Sequence, residues 1–116
     1  MFLPETQVCI WLCTAPTDMR KSFDGLSALA KNSLGENPIS GELFVFVNRR
    51  GNQMKILYFD RSGYCLWCKR LEQGRFMVRE SATGKRLLNF TELKLLLEGI
   101  EVEKYRQYKR YQHPGS

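Results

Sequence analysis

The stretch ELFVFVNRRGNQMKILYFDRSGYCLWCKRL, residues 42–71, decides the fold because it reads as three apolar strands separated by two short turns. Residues 43–47 are apolar without interruption, which is typical of a strand covered on both faces. Each turn combines glycine with asparagine or aspartate, which tolerate hairpin geometry. The pattern predicts an antiparallel meander, which a third turn at 72–74 extends into a further strand, RFMVRE, at 75–80.

Another strand and a helix are predicted before the meander. QVCIWLC, residues 7–13, is rich enough in β-branched and aromatic residues for a strand. A helix follows, for which Thr17 or Asp18 is the predicted N-cap. Its apolar stripe is predicted to consist of Met19, Phe23, Leu26 and Ala30.

A second helix is predicted in NFTELKLLLEGI, residues 89–100. Asn89 and Glu92 have the spacing of a capping box, and the expected buried stripe is Leu93, Leu96, Leu97 and Ile100. An antiparallel meander sheet packed by two amphipathic helices encloses one core, so we predict a small α+β domain. Its expected extent is residues 1–102, followed by a basic, tyrosine-containing tail at 103–116.

Composition and charge restrict the function. The chain has 116 residues, the usual length of one domain, and no apolar run long enough to cross a bilayer. Its N-terminus lacks the basic start of a secretory signal, so we expect a cytoplasmic protein with reduced cysteines. The net charge is +6, and between residues 43 and 86 ten basic residues stand against three acidic ones. Such a localised excess predicts an anionic partner, with a solvated strand surface as the alternative.

The central hairpin brings basic side chains together. With a loop at 60–63, Phe59 faces Tyr64 and Lys55 faces Cys68. A twisted ribbon with basic turns fits a DNA groove, and the planar arginine side chain binds phosphate through two hydrogen bonds. The alternative is a sheet edge that charge protects from aggregation. On the ribbon, Arg70 lies diagonal to Lys55, Lys69 points to the other face, and the turns carry Arg49, Arg50 and Arg61.

Four cysteines raise the question of a zinc site. Cys65 and Cys68 form a Cys-x-x-Cys motif, and Cys9 and Cys13 form a second pair. Within a regular strand Cys65 and Cys68 point to opposite faces, which does not suit a shared metal. We therefore expect no metal, no cofactor, and cysteines that act as small buried apolar side chains.

No catalytic residues are predicted. The carboxylates of Asp18, Asp24 and Asp60 could be imagined as a two-metal cluster, but each has a structural role as a cap, helix-surface or turn residue. His113 lies in the tail, and the sequence has no phosphate-binding loop and no nucleophile elbow. We expect a protein that is not an enzyme.

Three segments resemble one known family in order and spacing: PTDMRKSFDGL at 16–26, SGELFVFVNRRGNQMKILYFDRSGYCLWCKRLEQGRF at 40–76, and LLEGI at 96–100. They are similar to the TnpB accessory proteins of IS66 insertion sequences, which are unrelated to the RNA-guided nuclease of the same name. The resemblance implies a role in transposition beside two other products of the element. These are a DDE transposase, which performs the chemistry, and a small basic accessory protein.

The resemblance and the charge pattern together predict a non-catalytic accessory factor that binds DNA and assists the transposase. The expected partners are DNA, with RNA as the alternative, the transposase and the small basic protein; no membrane is expected, and self-association is left open. The alternative function is a protein-interaction module that docks on the transposase around Tyr58 and Trp67. The residues expected to contact DNA are Arg20, Lys21, Arg49, Arg50, Lys55, Arg61, Lys69, Arg70 and Arg75.

Overall fold

The computed structural model describes residues 8–99 of the chain. These residues contain one five-stranded sheet and two helices. The helices are α1 (Phe23–Asn32) and α2 (Phe90–Leu97). The predicted tail at 103–116 and its His113 lie outside the described residues, as does Ile100 of the predicted second stripe. The strands are β1 (Ile10–Cys13), β2 (Leu43–Val47), β3 (Gln53–Asp60), β4 (Gly63–Arg70) and β5 (Lys85–Leu88).

The central hairpins form as the sequence predicts. The strand order in the sheet is β4-β3-β2-β1-β5, and β3 pairs antiparallel with both β2 and β4. Phe59 pairs with Tyr64 and Lys55 with Cys68, which confirms the predicted register. The rings of Phe59 and Tyr64 meet edge to face with centroids 5.2 Å apart, a favourable geometry for aromatic pairs.

The outer part of the sheet differs from the prediction. β1 pairs parallel with β2 and antiparallel with β5, so the N-terminal strand is internal and the sheet is mixed. Residues 75–80, predicted as a strand, form none. The physical reason is Phe76, whose side chain is buried in the core and whose N–H donates to the carbonyl of Gly51 at 2.7 Å.

Apolar side chains cover both faces of the sheet. Leu93 and Leu96 of α2 pack on one face, and Leu26 and Ala30 of α1 pack on the other. All five residues of β2 are buried, as the uninterrupted apolar run predicts. The result is an α+β fold in which a mostly antiparallel sheet separates the two helices.

Helix α1 begins later than predicted. Its N-cap is Ser22, and neither Thr17 nor Asp18 caps it. The N–H of Thr17 instead donates to the carbonyl of Val47 at 2.9 Å, which ties this segment to the end of β2. The carboxylate of Asp18 accepts the N–H of Arg20 at 2.9 Å and so forms a separate turn.

The later start of α1 changes its apolar stripe. Met19 precedes the helix, and Phe23, predicted to be buried, is 44% exposed. Helix α2 begins as predicted: the side chain of Asn89 accepts the N–H of Glu92 at 2.8 Å, and the carboxylate of Glu92 accepts the N–H of Asn89 at 3.0 Å. Within residues 8–99, neither helix has the length and apolar character of a membrane span.

Candidate nucleic-acid interface

Two loops that are far apart in the sequence meet at one end of the sheet. They follow β1 and β2, whose carboxyl ends lie side by side because these strands are parallel. The first loop, 14–22, contains the turn at Asp18, and the second, 48–52, connects β2 to β3. Two of the segments that resemble the known family therefore share one surface.

Asn48 fixes the turn that connects β2 to β3. Its Oδ1 accepts the N–H groups of Asn52 at 3.0 Å and Gln53 at 3.1 Å. Its Nδ2 donates to Oδ1 of Asn52 at 2.8 Å. These bonds leave little freedom to the backbone, so Arg49 and Arg50 extend into solvent from a defined support.

Two glycines hold Arg75 beside this turn. Gly51 has a φ of +74°, and a Cβ at this position would lie 3.2 Å from both Nε of Arg75 and the carbonyl oxygen of Phe76. Gly99 has a φ of +82°, and its Cβ would lie 3.1 Å from the carbonyl oxygen of Arg75. Only glycine allows both this backbone conformation and this close approach.

The two predicted lysines of the hairpin make structural hydrogen bonds. Nζ of Lys55 donates to the carbonyl oxygens of Met19 at 2.8 Å and Lys21 at 2.7 Å. It therefore holds the segment that precedes α1 against β3. Nζ of Lys69 lies on the opposite face, where it donates to the carbonyl oxygen of Leu97 at 3.3 Å, near the end of α2.

Two of the predicted arginines have carboxylate partners. Nη2 of Arg20 lies 2.7 Å from Asp18, and the hydrogen bonds from the Arg20 side chain lower the pKa of Asp18 to about 2. The side chain of Arg20 is nevertheless 91% exposed, so this pair contributes little to stability. Arg70 and Glu72 form a second exposed pair at 3.2 Å.

Arg49, Arg50 and Arg75 have no carboxylate partner within residues 8–99. Arg49 borders the clefts on both sides of the 48–52 turn, one of which also contains Arg20 and the other Arg75. Arg70, at the end of β4, lies opposite Gln53 in the strand register, and Gln53 is the first residue after this turn. We call this surface the arginine-rich end; it consists of Arg20, Lys21, Arg49, Arg50, Arg70 and Arg75.

Arg61 lies away from the arginine-rich end. It occupies the two-residue loop between β3 and β4, where its φ is +50°. The eight residues of β3 separate this loop from the 48–52 turn, a distance of roughly 23 Å at the usual rise of a strand. The structure thus brings together most of the predicted DNA-contacting residues but places Arg61 at the other end of the hairpin.

The cysteines differ in exposure. Cys13 is buried, and this burial raises the pKa of its thiol. Cys9 and Cys68 are exposed, so the prediction of four buried cysteines is wrong for these two. No group of three or more histidine, cysteine, aspartate or glutamate residues in the described part of the chain is arranged to hold a metal ion.

The remaining candidate residues are dispersed. Asp18 lies at the arginine-rich end, Asp24 in the first turn of α1, and Asp60 beside Arg61 at the opposite end of β3. Tyr58 and Trp67, predicted as an exposed docking face, are half-buried because they pack on the core cluster beneath α2.

Comparisons with known proteins identify the family of the chain. The family model described as "IS66 Orf2 like protein" matches residues 8–107. The chain is 39% identical to protein y4hO of Sinorhizobium fredii over 100 residues, which cover 85% of this chain and 87% of that protein. It is 33% identical to protein y4jC of the same organism over 101 residues, 87% of this chain and 86% of that one. No solved structure matches the chain.

Proposed function

Since the chain belongs to the family of IS66 Orf2-like proteins, which are accessory proteins of insertion sequences, we propose that it is a non-catalytic transposition factor that binds DNA. The binding surface is the arginine-rich end. The family supplies the connection to transposition, and the arrangement of the arginines supports the contact with DNA.

The observation that carries this proposal is the group formed by Arg49, Arg50 and Arg75. These three side chains extend from backbone that hydrogen bonds and close glycine contacts hold in place. Within residues 8–99 no carboxylate neutralises them. Guanidinium groups without a carboxylate partner bind phosphate through paired hydrogen bonds, and a fixed backbone reduces the conformational entropy that binding costs.

Lys55 has a positioning role in this function. Its bonds to the carbonyl oxygens of Met19 and Lys21 hold the loop that carries Arg20 near the arginines of the turn. An ammonium group that is committed to two carbonyl oxygens is less available to a phosphate. Affinity therefore depends on Lys55 chiefly through the position of this loop.

Fluorescence anisotropy of a labelled duplex, titrated from low to physiological salt, tests the proposal. The informative variant is Arg49→Glu with Arg50→Glu. Its matched control is Lys31→Glu with Lys94→Glu, because both lysines are exposed, one on each helix, and the change in net charge is the same. Circular dichroism establishes that both variants fold before their affinities are compared.

We expect binding that weakens log-linearly with salt, with a slope of about −0.9 for each phosphate neutralised. Three phosphate contacts predict a slope of roughly −3, which the Arg49 and Arg50 double variant reduces to about −1. The control double variant should retain most of the slope. Absence of binding at low salt by folded wild-type protein rejects the DNA contact and favours docking on the transposase.

A further inference from the structure

A cavity of about 250 Å³ lies at the carboxyl ends of β1 and β2, between the 48–52 turn and the segment that follows β4. Because β1 and β2 are parallel, the loops that follow them leave the same edge of the sheet and enclose a crevice, as loops do at the ligand sites of open α/β sheets. The volume is slightly below the usual range for small-molecule sites, about 300–1,000 Å³. A single nucleotide, a phosphorylated sugar or the terminal nucleotide of a DNA strand therefore suits the cavity, whereas the full width of a duplex does not fit inside it.

The charges of the side chains that line the cavity favour an anionic ligand. Arg49 and Arg75, both exposed, reach the cavity from two different loops, and among residues 8–99 Glu80 is the one carboxylate in its lining. The buried part of the lining includes Cys13 and Phe76. Burial raises the pKa of the Cys13 thiol, so this side chain is uncharged at neutral pH. In the described part of the chain, the lining thus carries two guanidinium groups against one carboxylate.

The backbone that carries the two arginines is fixed independently of any ligand. Asn48 fixes the turn that carries Arg49, and the N–H of Phe76 donates to the carbonyl oxygen of Gly51, which fixes the segment that carries Arg75. Such preorganisation lowers the entropic cost of binding. Charge-assisted hydrogen bonds from arginine are strongest to groups with several anionic oxygens, such as a phosphate monoester.

We propose that this cavity binds a phosphate monoester, supplied either by a free mononucleotide or by the 5′-phosphorylated end of a DNA strand. The phosphate contacts Arg49 and Arg75, and the sugar occupies the more apolar part of the cavity beside Phe76. The strand-end source rests on the proposed DNA-binding function, whereas the mononucleotide source does not.

Two measurements separate these sources. The first compares anisotropy for two otherwise identical duplexes whose 5′ ends carry either phosphate or hydroxyl. The second measures deoxyadenosine monophosphate by isothermal titration calorimetry, with deoxyadenosine as the unphosphorylated control. Arg75→Gln removes a guanidinium from the cavity. Arg50→Gln is the matched variant, because Arg50 extends from the turn that also carries Arg49 but borders only the neighbouring cleft.

We expect wild-type protein to prefer the phosphorylated ligand by about tenfold, the effect of one or two charge-assisted hydrogen bonds. Arg75→Gln should abolish this preference. Arg50→Gln should lower the affinity for both duplexes by the same factor and leave the preference for the phosphorylated one unchanged. Glu80→Gln should strengthen monophosphate binding, which provides a test that does not depend on the fold of the Arg75 variant.

Preference for phosphorylated duplex ends supports a strand end as the source, and binding of the monophosphate without that preference supports a free nucleotide. Equal binding of phosphorylated and unphosphorylated ligands in both measurements overturns the inference. If general DNA binding fails but the monophosphate still binds in an Arg75-dependent manner, the proposed function is wrong and the cavity site stands.

Discussion

The N–H of Phe76 donates to the carbonyl oxygen of Gly51 at 2.7 Å, so the segment that carries Arg75 is fixed to the turn that carries Arg49. This bond replaces the strand pairing that the sequence of residues 75–80 suggests. Burial of Phe76 in the core stabilises the same arrangement. The position of Arg75 is therefore a consequence of core packing, and alteration of the core contact should alter the surface.

Gly51→Ala should destabilise the protein more than Gly74→Ala. Both glycines have positive φ angles, +74° and +79°, but only at Gly51 would a Cβ approach neighbouring atoms closely. We expect a loss of about 1 kcal/mol in the free energy of unfolding for Gly74→Ala and about 2–4 kcal/mol for Gly51→Ala. Urea denaturation of the two variants measures the difference, and equal losses would show that the close approach has no energetic role.

Lys55→Met should destabilise the loop before α1. The substitution keeps most of the apolar stem but removes both charge-assisted hydrogen bonds to the carbonyl oxygens of Met19 and Lys21. We expect a loss of about 1–2 kcal/mol in the free energy of unfolding, against less than about 0.5 kcal/mol for the exposed control Lys31→Met. Amide hydrogen exchange at residues 19–22 should accelerate only in the first variant; unchanged protection there would contradict the positioning role.

The carboxylate of Asp18 should titrate with a pKa of about 2, below the ordinary aspartate value of 3.8, because the Arg20 side chain donates hydrogen bonds to it. A lowered pKa stabilises the folded state above about pH 4, and this contribution disappears as the pH falls through about 2. In Arg20→Gln the pKa should return towards 3.8. Carboxyl carbon NMR of both proteins gives the midpoints, and identical midpoints would exclude this ion pair in solution.

Thiol reactivity should follow exposure. Cys9 and Cys68 are exposed and should react rapidly with a thiol reagent at pH 8, whereas Cys13 is buried with a raised pKa and should react only after unfolding. Mass spectrometry of peptides after brief alkylation measures each site. Rapid labelling of Cys13 in folded protein would show that the reagent reaches the thiol through the cavity that Cys13 lines, or that this end of β1 opens readily.

Arg61→Glu should weaken DNA binding less than Arg50→Glu. The change in charge is identical, but the full length of β3 separates Arg61 from the arginine-rich end. We expect an effect of threefold or less for Arg61→Glu and about tenfold for Arg50→Glu near physiological salt, where the Debye length is about 8 Å. Anisotropy measures both affinities. Equal losses would indicate that DNA contacts the whole length of the hairpin.

Local sequence patterns predicted the structure best where neighbouring segments pair. The β3–β4 register follows from two alternating strands joined by Asp60–Gly63, and the capping box of α2 follows from Asn89 and Glu92. The proximity of Arg49, Arg50 and Lys55 follows from the same hairpins. These features depend on contacts between residues close together in the chain.

Long-range contacts explain what the sequence could not show. The short strand β5 exists because β1 lies beside it, and its first two residues are Lys85 and Arg86 rather than apolar ones. Thr17 resembles a helix cap, but its N–H bonds to Val47. The approach of Arg75 to Gly51 likewise depends on the burial of Phe76, for which no local pattern exists.

The position of β1 inside the sheet has a consequence for synthesis of the protein on the ribosome. One edge of β1 pairs with β2, but its other edge pairs with Lys85–Leu88, more than 70 residues later in the chain. A nascent chain that has not yet reached residue 85 therefore exposes an unpaired strand edge, which is a site of aggregation. The native sheet is complete only after most of the polypeptide has been translated, so termination before residue 85 leaves this edge of β1 without its partner strand.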